Sequence, residues 1–234
     1  MLTIAHRGAS AHYPENTLRA FIAAAELGAD MCEFDVRMTR DGEIVVIHDA
    51  TVNRTTDGRG RVAAMSAASL GRLDAGVRFG AEFRGERIPT LAEVADALGG
   101  RGCEMDVELK ARGLEGRVCE ILRGCAAAAS AIVSSFDWEQ LEIVARHEPE
   151  LRLALLGEKT PSEMLEAAQA MRAFAIAPQF DIVDAALCAE AHRRGLAVYA
   201  WTVDEASAMR QMIAAGVDGI MTNDPGKLRE VAAA

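Results

Sequence analysis

The sequence has few cysteines, and their spacing excludes two common kinds of small protein. Five are spread over 234 residues, and none forms a Cys-x-x-Cys pair. An odd number without close pairs predicts neither a disulfide framework nor a zinc knuckle. Several lie in apolar runs, where cysteine commonly behaves as a small core residue. The five are Cys32, Cys103, Cys119, Cys125 and Cys188.

The sequence also lacks a long hydrophobic run and an excess of positive charge. No basic stretch followed by an apolar segment opens the chain, and no segment has the length and hydrophobicity of a membrane span. The expected location is therefore the cytoplasm. With 25 basic and 35 acidic residues the net charge is −10, which argues against binding to nucleic acid and against stable association with anionic membranes. The oligomeric state is not predicted.

Hydrophobic residues make up 50% of the chain, enough for a substantial core. Short apolar runs alternate with longer segments of helical character. The candidate strands are Leu2–His6, Met31–Val36, Ile44–His48, Cys103–Leu109, Ala131–Ser135, Arg152–Leu156, Phe174–Ala177, Ala197–Trp201 and Gly219–Thr222. The candidate helices are Glu15–Leu27, Leu114–Cys125, Trp138–Arg146, Pro161–Met171, Val183–Arg193 and Glu205–Ala215. This alternation predicts a parallel α/β fold, with the (β/α)8 TIM barrel as the leading candidate.

The candidate strands number one more than a barrel of eight requires. The link Thr39–Glu43 is too short for a parallel crossover, and its Asp41-Gly42 pair favours a hairpin turn. We therefore expect Ile44–His48 to return antiparallel beside the second strand, which leaves eight parallel strands. A doubly wound open sheet is the alternative, but the glycine-rich phosphate loop typical of that fold is absent.

The segment Thr51–Thr90 interrupts the alternation. It is rich in glycine and arginine and contains one candidate helix, Ala67–Leu73. A long insertion without strong strands usually lies near a functional face of the fold. We expect one barrel domain over residues 1–234, with residues 51–90 as a small insertion or cap after the hairpin.

Acidic residues alternate along two of the candidate strands. Glu33 and Asp35 are two residues apart and point to the same face, as do Glu104, Asp106 and Glu108 on a later strand. Carboxylates on covered strands are costly to bury unless a cation or proton compensates them. Oxygen ligands suit Mg²⁺, Ca²⁺ or Mn²⁺. Exposed strand faces or a ladder of ion pairs are the structural alternatives.

Other polar residues stand where barrel strands end. His6 closes the first candidate strand and precedes Arg7, and His48 closes the hairpin strand. Histidine at the carboxyl end of a barrel strand is suited to acid–base chemistry, and arginine to an anion. Lys110 continues the polar face of Glu108. Trp201 ends a further strand and belongs either to the core or to a surface that stacks on substrate.

At this point the ordered motifs resemble those of the glycerophosphodiester phosphodiesterases. The motifs cover nearly the whole chain, with Asp204 as a small departure where many relatives have Asn. They are His6-Arg7-Gly8, Pro14-Glu15-Asn16-Thr17, Glu33-x-Asp35-Val36, Thr39-x-Asp41-Gly42, Val45-Val46-x-His48-Asp49, Arg54-Thr55-Thr56-x-Gly58, Ile88-Pro89-Thr90-Leu91, Glu108-Leu109-Lys110, Ser135-Phe136, Trp201-Thr202-Val203 and Asp218-Gly219-Ile220-x-Thr222.

The resemblance implies a metal-dependent hydrolase of glycerolipid metabolism, and its site residues carry over position by position. His6 and His48 would be the general acid–base pair. Glu33, Asp35 and Glu108 would hold one divalent cation. Arg7 and Lys110 would bind the phosphoryl oxygens, and Trp201 would line the alcohol or glycerol pocket.

The expected reaction releases sn-glycerol 3-phosphate and an alcohol from a glycerophosphodiester such as glycerophosphocholine or glycerophosphoethanolamine. Two other functions stay open at this point. One is a lipid-directed phosphodiesterase of the phospholipase C or D type on the same barrel. The other is a barrel that only binds phosphorylated ligands, which would predict the loss of one of the two histidines or three carboxylates.

Overall fold

The computed structural model describes residues 1–125 and 130–234, and these contain a nine-stranded sheet. The strands are β1 Leu2–His6, β2 Met31–Met38, β3 Ile44–Val46, β4 Glu104–Leu109, β5 Ile132–Ser135, β6 Arg152–Gly157, β7 Ala175–Pro178, β8 Ala197–Ala200 and β9 Gly219–Thr222. Eight of them are parallel and close into a barrel, because β1 pairs with both β9 and β2. The predicted TIM barrel is confirmed.

The ninth strand is the predicted antiparallel return. β3 pairs with the end of β2, with Val36 opposite Val46 and Met38 opposite Ile44. It ends at Val46, so His48 lies two residues beyond the strand rather than in it. The chain still follows β2 there, because Ile47 N donates to Asp35 O at 2.9 Å. The hairpin therefore carries His48 back to the carboxyl end of β2.

Helices connect the barrel strands and cover the outside of the sheet. They are α1 Leu18–Glu26, α2 Ala67–Leu70, α3 Leu91–Leu98, α4 Glu115–Arg123, α5 Trp138–His147, α6 Pro161–Met171, α7 Ala185–Arg193, α8 Ala206–Ala215 and α9 Pro225–Ala233. Helices α3 and α9 were not among the candidates from sequence. The predicted helix Glu15–Leu27 begins only at Leu18, because the Thr17 side chain caps it by accepting from Ala20 N.

Local signals for the two additional helices are present in the sequence. Thr90 and Glu93 form a reciprocal capping box at the start of α3. Asp224 accepts from Lys227 N at the start of α9, and Pro225 occupies the first turn. Both helices could therefore have been predicted from capping chemistry.

Two layers of apolar side chains build the core. The larger fills the space between sheet and helices, and a smaller cluster inside the barrel includes Ile4, Met31, Ile132, Tyr199 and Met221. A Cβ at Gly219 would lie 2.8 Å from both Ile4 Cδ1 and Tyr199 Cδ1, so a larger residue there would force this interior apart. The packed interior leaves the carboxyl-terminal mouth as the place for a site.

Residues 51–90 have a small apolar cluster of their own. This cluster packs against Val45 of β3 and against Ile47, which directly follows β3. Its members in the segment include Val52, Val62, Leu70 and Ile88. Asp74 organises the segment by accepting backbone N–H groups from Gly76, Val77 and Gly85. The division of the chain into one domain with an insertion stays a prediction, but the segment does lie against the mouth, as the contacts of Arg54 show below.

Within the described ranges, no helix combines the length and the apolar character that crossing a membrane would require.

Candidate active site

A cavity opens at the carboxyl-terminal mouth of the barrel, and two kinds of side chain line it. One wall is charged, formed by the two predicted histidines, Glu33, Glu108, Arg7 and Lys110. The remaining lining is largely apolar and includes Phe136, Leu156, Trp201 and Met221. The structure therefore brings seven of the eight predicted site residues to one cavity. The eighth, Asp35, lies buried directly behind the charged wall.

The acidic residues of β2 and β4 meet because the two strands are neighbours in register. Asp35 lies opposite Glu108 in the β2–β4 ladder, and Glu33, two residues earlier on β2, lies opposite Asp106. One carboxylate oxygen from each of the three lies within 4.8 Å of the other two. All three side chains are buried. The spacing of the carboxylates thus follows from the parallel register and the two-residue period of a strand.

Crowding of buried negative charge changes the acidity of these groups. Burial, followed by the charges of Asp35 and Glu108, raises the pKa of Glu33 well above its usual range. Burial and Asp35 raise the pKa of Glu108 to about 7. Burial also opposes ionisation of Asp35, but Arg7 and then His48 and Lys110 outweigh it, so the pKa of Asp35 is lowered. The cluster contains more negative charge than its neighbours neutralise.

The unpaired oxygens of this cluster fit a hard divalent cation. Glu33 Oε1 and Asp35 Oδ1 are buried and have no hydrogen-bond partner among the described residues. Buried carboxylate oxygens without a donor are costly, and a divalent ion would satisfy them and offset the repulsion between them. An all-oxygen donor set suits Mg²⁺, Ca²⁺ or Mn²⁺ rather than a thiolate-seeking metal.

The other two acidic residues of β4 do not join the cluster. Glu104 lies at the amino end of the strand and pairs with Arg152 Nη2 at 2.8 Å. Asp106 is fully buried inside the barrel, and burial raises its pKa to about 7. Only Glu108 of the three therefore reaches the mouth, as its position at the carboxyl end of β4 predicts.

Two cations flank the carboxylates. Arg7 Nε lies 3.1 Å from Asp35 Oδ2, and Arg7 Nη1 donates to Glu15 Oε1 at 3.0 Å. Lys110 Nζ donates to Glu108 Oε1 at 2.7 Å and lies 3.7 Å from Asp35 Oδ1. Both cations line the cavity, so they offer positive charge to an anion in a protein of net charge −10.

A tight backbone turn places Arg7 in this position. Arg7 has φ 59° and Gly8 has φ 81°, so the chain enters the left-handed region immediately after β1. A Cβ at Gly8 would lie 2.7 Å from the Ala20 carbonyl carbon. Residue 8 must therefore be glycine for the loop to pack against α1. Arg7 N, held by the same turn, donates to the Glu33 backbone O at 2.8 Å.

His6 is supported by neutral side chains. Its Nδ1 lies 2.7 Å from Asn223 Oδ1, and its Nε2 lies 3.9 Å from Glu33 Oε2. Ser10 Oγ lies 2.7 Å from His6 O and 2.8 Å from Asn223 Oδ1. Burial, followed by the charge of Arg7, lowers the pKa of His6, so its neutral form is favoured.

His48 is supported by a chain of charged side chains. Its Nδ1 lies 2.7 Å from Asp49 Oδ1. Arg54 donates two hydrogen bonds to Asp49, from Nε to Oδ2 at 2.9 Å and from Nη2 to Oδ1 at 3.0 Å. The same guanidinium binds Glu15, which also binds Arg7. The hydrogen bonds of Arg54 lower the pKa of Asp49, so Asp49 is ionised beside the imidazole.

The apolar wall of the cavity is built by two aromatic residues. The rings of Phe136 and Trp201 meet edge to face, with centroids 5.3 Å apart. Trp201 Nε1 donates to Ala177 O at 2.6 Å, which fixes the indole against β7. Phe136 lines the cavity, is 43% exposed, and its ring centroid lies 5.7 Å from Lys110 Nζ. Trp201 thus lies at the predicted strand end, one residue beyond β8.

Sequence reasoning did not assign several residues that support the site. Asn16 is buried and its backbone is in the left-handed region, and its Nδ2 donates to Asp35 Oδ2 at 2.8 Å. Arg54, named above only as part of a motif, pairs with both Asp49 and Glu15. Asn223 contacts His6 from 217 residues away. No local pattern predicts such a contact, although Asn16, Asp49 and Arg54 all lie in the motifs that carry the family resemblance.

Comparison with known proteins agrees with this geometry. The model of the glycerophosphoryl diester phosphodiesterase family matches residues 6–227. A glycerophosphodiester phosphodiesterase of Caldanaerobacter subterraneus subsp. tengcongensis is 40% identical over 232 residues, which cover 97% of this chain and 96% of that protein. A glycerophosphodiester phosphodiesterase of Bacillus subtilis is 30% identical, covering 99% of this chain and 86% of that protein.

Solved structures give the same result. A phosphodiesterase of Oleispira antarctica, in complex with the product sn-glycerol-3-phosphate, superimposes with a TM-score of 0.94 at 29% identity, covering 100% of this chain and 97% of that one. A glycerophosphodiester phosphodiesterase from Agrobacterium tumefaciens has a TM-score of 0.88 at 29% identity, covering 98% and 99% of the two chains.

Proposed function

The chain belongs to the glycerophosphoryl diester phosphodiesterase family and is an enzyme of that class, and from this membership we propose the details of its reaction. It hydrolyses small glycerophosphodiesters, such as glycerophosphocholine and glycerophosphoethanolamine, to sn-glycerol 3-phosphate and an alcohol. The observation that carries this proposal is the meeting of two histidines, three carboxylates and two cations around one cavity. The product bound to the Oleispira antarctica relative has the expected chemistry.

One divalent cation is part of the proposal, held by Glu33, Asp35 and Glu108. When bound, such an ion supplies Lewis-acid polarisation of a phosphoryl oxygen and neutralises developing charge. Mg²⁺, Ca²⁺ and Mn²⁺ all suit these ligands. Lys110, which contacts Glu108 and Asp35, places its ammonium at the edge of the same cluster. In this proposal the three carboxylates bind the cation and do not act as acids or bases.

Arg7 and Lys110 bind the phosphoryl oxygens in this proposal. Their positive charges face the cavity, and hydrogen bonds and ion pairs to Asp35, Glu15 and Glu108 hold them in place. Donors fixed in advance stabilise the charge that develops on phosphorus oxygens without reorganising during the reaction. The neutral wall of Phe136 and Trp201 would receive the carbon portion of the substrate.

His6 and His48 transfer the protons, and in the first step one acts as a base and the other as an acid. His6, which has a neutral partner and a lowered pKa, removes the proton from the attacking hydroxyl. His48, whose Nδ1 contacts the Asp49 carboxylate, donates a proton to the leaving alkoxide. The attacking oxygen forms a bond to phosphorus and the bond to the alcohol oxygen breaks.

The attacking hydroxyl distinguishes two routes. Attack by the glycerol 2-hydroxyl gives a cyclic phosphate, which water then opens with the histidine roles reversed. Attack by water gives sn-glycerol 3-phosphate directly. Phosphorus NMR during turnover separates the routes, because only the first produces a cyclic intermediate. A transient cyclic signal establishes the first route, and its absence in single-turnover experiments establishes the second.

The experiment that tests the function is release of sn-glycerol 3-phosphate from glycerophosphocholine by the purified protein. We expect release with Mg²⁺, Ca²⁺ or Mn²⁺, loss of activity with EDTA, and recovery when the ion is restored. Glu33→Gln is the matched variant, because it keeps the shape of a ligand and removes its charge. Full activity after exhaustive metal removal would contradict the cation holder. Activity on lysophospholipid but not on any glycerophosphodiester would move the substrate to the lipid-directed class.

A further inference from the structure

Asp204 and Asn223 form a hydrogen-bonded pair behind His6, which we call the Asp204–Asn223 clamp. We infer that this clamp is a positioning device: it holds His6 with its proton on Nδ1, so that Nε2 faces the cavity as a proton acceptor. The inference rests on the proposed acid–base role of His6. Asp204 and Asn223 do not line the cavity of the candidate active site; they line a second cavity that shares His6 and Arg7 with it, and Asn223 contacts the site through the histidine.

Contacts with Asp204 fix the orientation of the Asn223 amide. Asn223 Nδ2 donates to Asp204 Oδ2 at 2.6 Å. Asp204 Oδ1 accepts from Asn223 N at 2.8 Å and from Thr222 Oγ1 at 3.0 Å. A carboxylate surrounded by donors accepts hydrogen bonds only. Turning the amide over would place two acceptor oxygens 2.6 Å apart, so its nitrogen must face Asp204.

The tautomer of His6 follows from that orientation. With its nitrogen committed to Asp204, Asn223 presents Oδ1 to His6 Nδ1 at 2.7 Å. An amide oxygen cannot donate, so Nδ1 must carry the proton. In the neutral ring the lone pair is then on Nε2. Ser10 Oγ also lies 2.8 Å from this amide oxygen, and its single proton is shared between that oxygen and His6 O at 2.7 Å.

The two residues of the clamp are held by barrel strands whose position relative to His6 is fixed by the sheet. Asn223 directly follows β9, which pairs with β1, and Asp204 lies in the loop after β8. Lys227 on α9 fastens that loop by donating from Nζ to Asp204 O at 2.5 Å. The imidazole orientation is therefore set by two neighbouring barrel strands and a helix, in addition to its own strand.

Asp204→Asn is the test variant. It replaces an acceptor that faces the Asn223 amide nitrogen with a group that can also donate, so the Asn223 amide is free to turn and offer N–H to His6 Nδ1. The proton would then move to Nε2, which could no longer accept one. We expect kcat on glycerophosphocholine to fall about 10-fold to 100-fold with KM little changed. Nitrogen-15 NMR of the His6 ring, assigned by comparison with His6→Ala, should show the proton leaving Nδ1.

The swap variant Asp204→Asn/Asn223→Asp gives the decisive comparison. In the swap, the new amide at 204 donates to the new carboxylate at 223, which still accepts from Nδ1. We expect the Nδ1–H tautomer to return, with kcat recovering only in part, because a carboxylate at position 223 also favours the charged imidazolium. Asp184→Asn is the matched control, because Asp184 does not line the cavity and caps α7 by accepting from Leu187 N at 2.8 Å. That variant should keep both tautomer and turnover.

The outcomes separate the clamp from a structural role and from the proposed function. An unchanged His6 tautomer in Asp204→Asn overturns the clamp, whether or not kcat falls. If Asp204→Asn does not fold, the swap decides: an Nδ1–H tautomer supports the clamp, and an Nε2–H tautomer overturns it. If the wild-type protein cleaves no glycerophosphodiester but Asp204→Asn still shifts the proton, the proposed function fails and the tautomer control stands.

Discussion

The two histidines of the mouth occupy similar positions but rest on different supports. His6 contacts the amide of Asn223, whereas His48 contacts the carboxylate of Asp49. Both contacts measure 2.7 Å and both use Nδ1, so geometry alone does not distinguish the rings. Charge does. Burial and the charge of Arg7 lower the pKa of His6 although the Asn223 contact opposes this, whereas the partner of His48 is an anion. The difference predicts a base at His6 and an acid at His48.

The supports also differ in where they come from. The clamp behind His6 is built from the ends of barrel strands β8 and β9. The support behind His48 reaches into residues 51–90 through Arg54, whose side chain is almost half exposed. One histidine therefore depends on the packed barrel and the other on surface ion pairs. Surface pairs respond to salt and to acid more than packed contacts do.

Removal of either imidazole should have the largest effect. We expect His6→Ala and His48→Ala each to lower kcat on glycerophosphocholine by at least about 10²-fold, because a general acid or base is lost. Circular dichroism should show folded protein, since both side chains are partly exposed at the mouth. Near-normal turnover in either variant would remove that histidine from the mechanism.

A smaller loss is expected from Arg54→Gln. Without the guanidinium, Asp49 is no longer held by two hydrogen bonds and His48 loses a fixed partner. We expect kcat to fall about 10-fold with little change in KM. The control is Arg59→Gln, an exposed arginine of the same segment for which the described residues offer no ion pair. A raised KM with unchanged kcat would instead make Arg54 a substrate-binding residue.

The smallest expected effect is on stability against acid. Arg54 lowers the pKa of Asp49 in the folded protein, so the pair stabilises the fold above the unfolded pKa of Asp, about 3.9. That stability is lost as the pH falls below this value. Urea denaturation should give a difference between wild type and Arg54→Gln of under about 1 kcal/mol at pH 7, because the pair is partly exposed. At pH 3 the difference should shrink, and a larger difference there would contradict the pair.

Much of this arrangement can be predicted from the sequence, because it depends on local periodicity. The two-residue alternation of Glu33 with Asp35 and the position of Glu108 at a strand end predict a cation holder, and the structure brings the three together. The Asp41-Gly42 turn predicts the hairpin that returns His48 to β2. In each case the relevant neighbours are close in sequence or are set by the order of parallel strands.

The supports of the histidines could not be predicted in the same way. Asn223 reaches His6 because β9 closes the barrel against β1, a contact between the two ends of the chain. Arg54 reaches Glu15 because residues 51–90 fold back over the mouth. Periodicity says nothing about such closures, whereas it does place residues along a strand. The sequence shows which residues reach the mouth, and the fold shows how each of them is held.

The central claim is that the two histidines act unequally, and the choice of leaving group tests it most directly. A 4-nitrophenyl ester of glycerol phosphate has a leaving group that needs little protonation, so loss of the general acid should matter less. We predict that His48→Ala loses no more than about 10-fold on the aryl ester, while His6→Ala still loses at least about 10²-fold. Equal losses in the two variants, or a rescue of His6→Ala alone, would contradict the account.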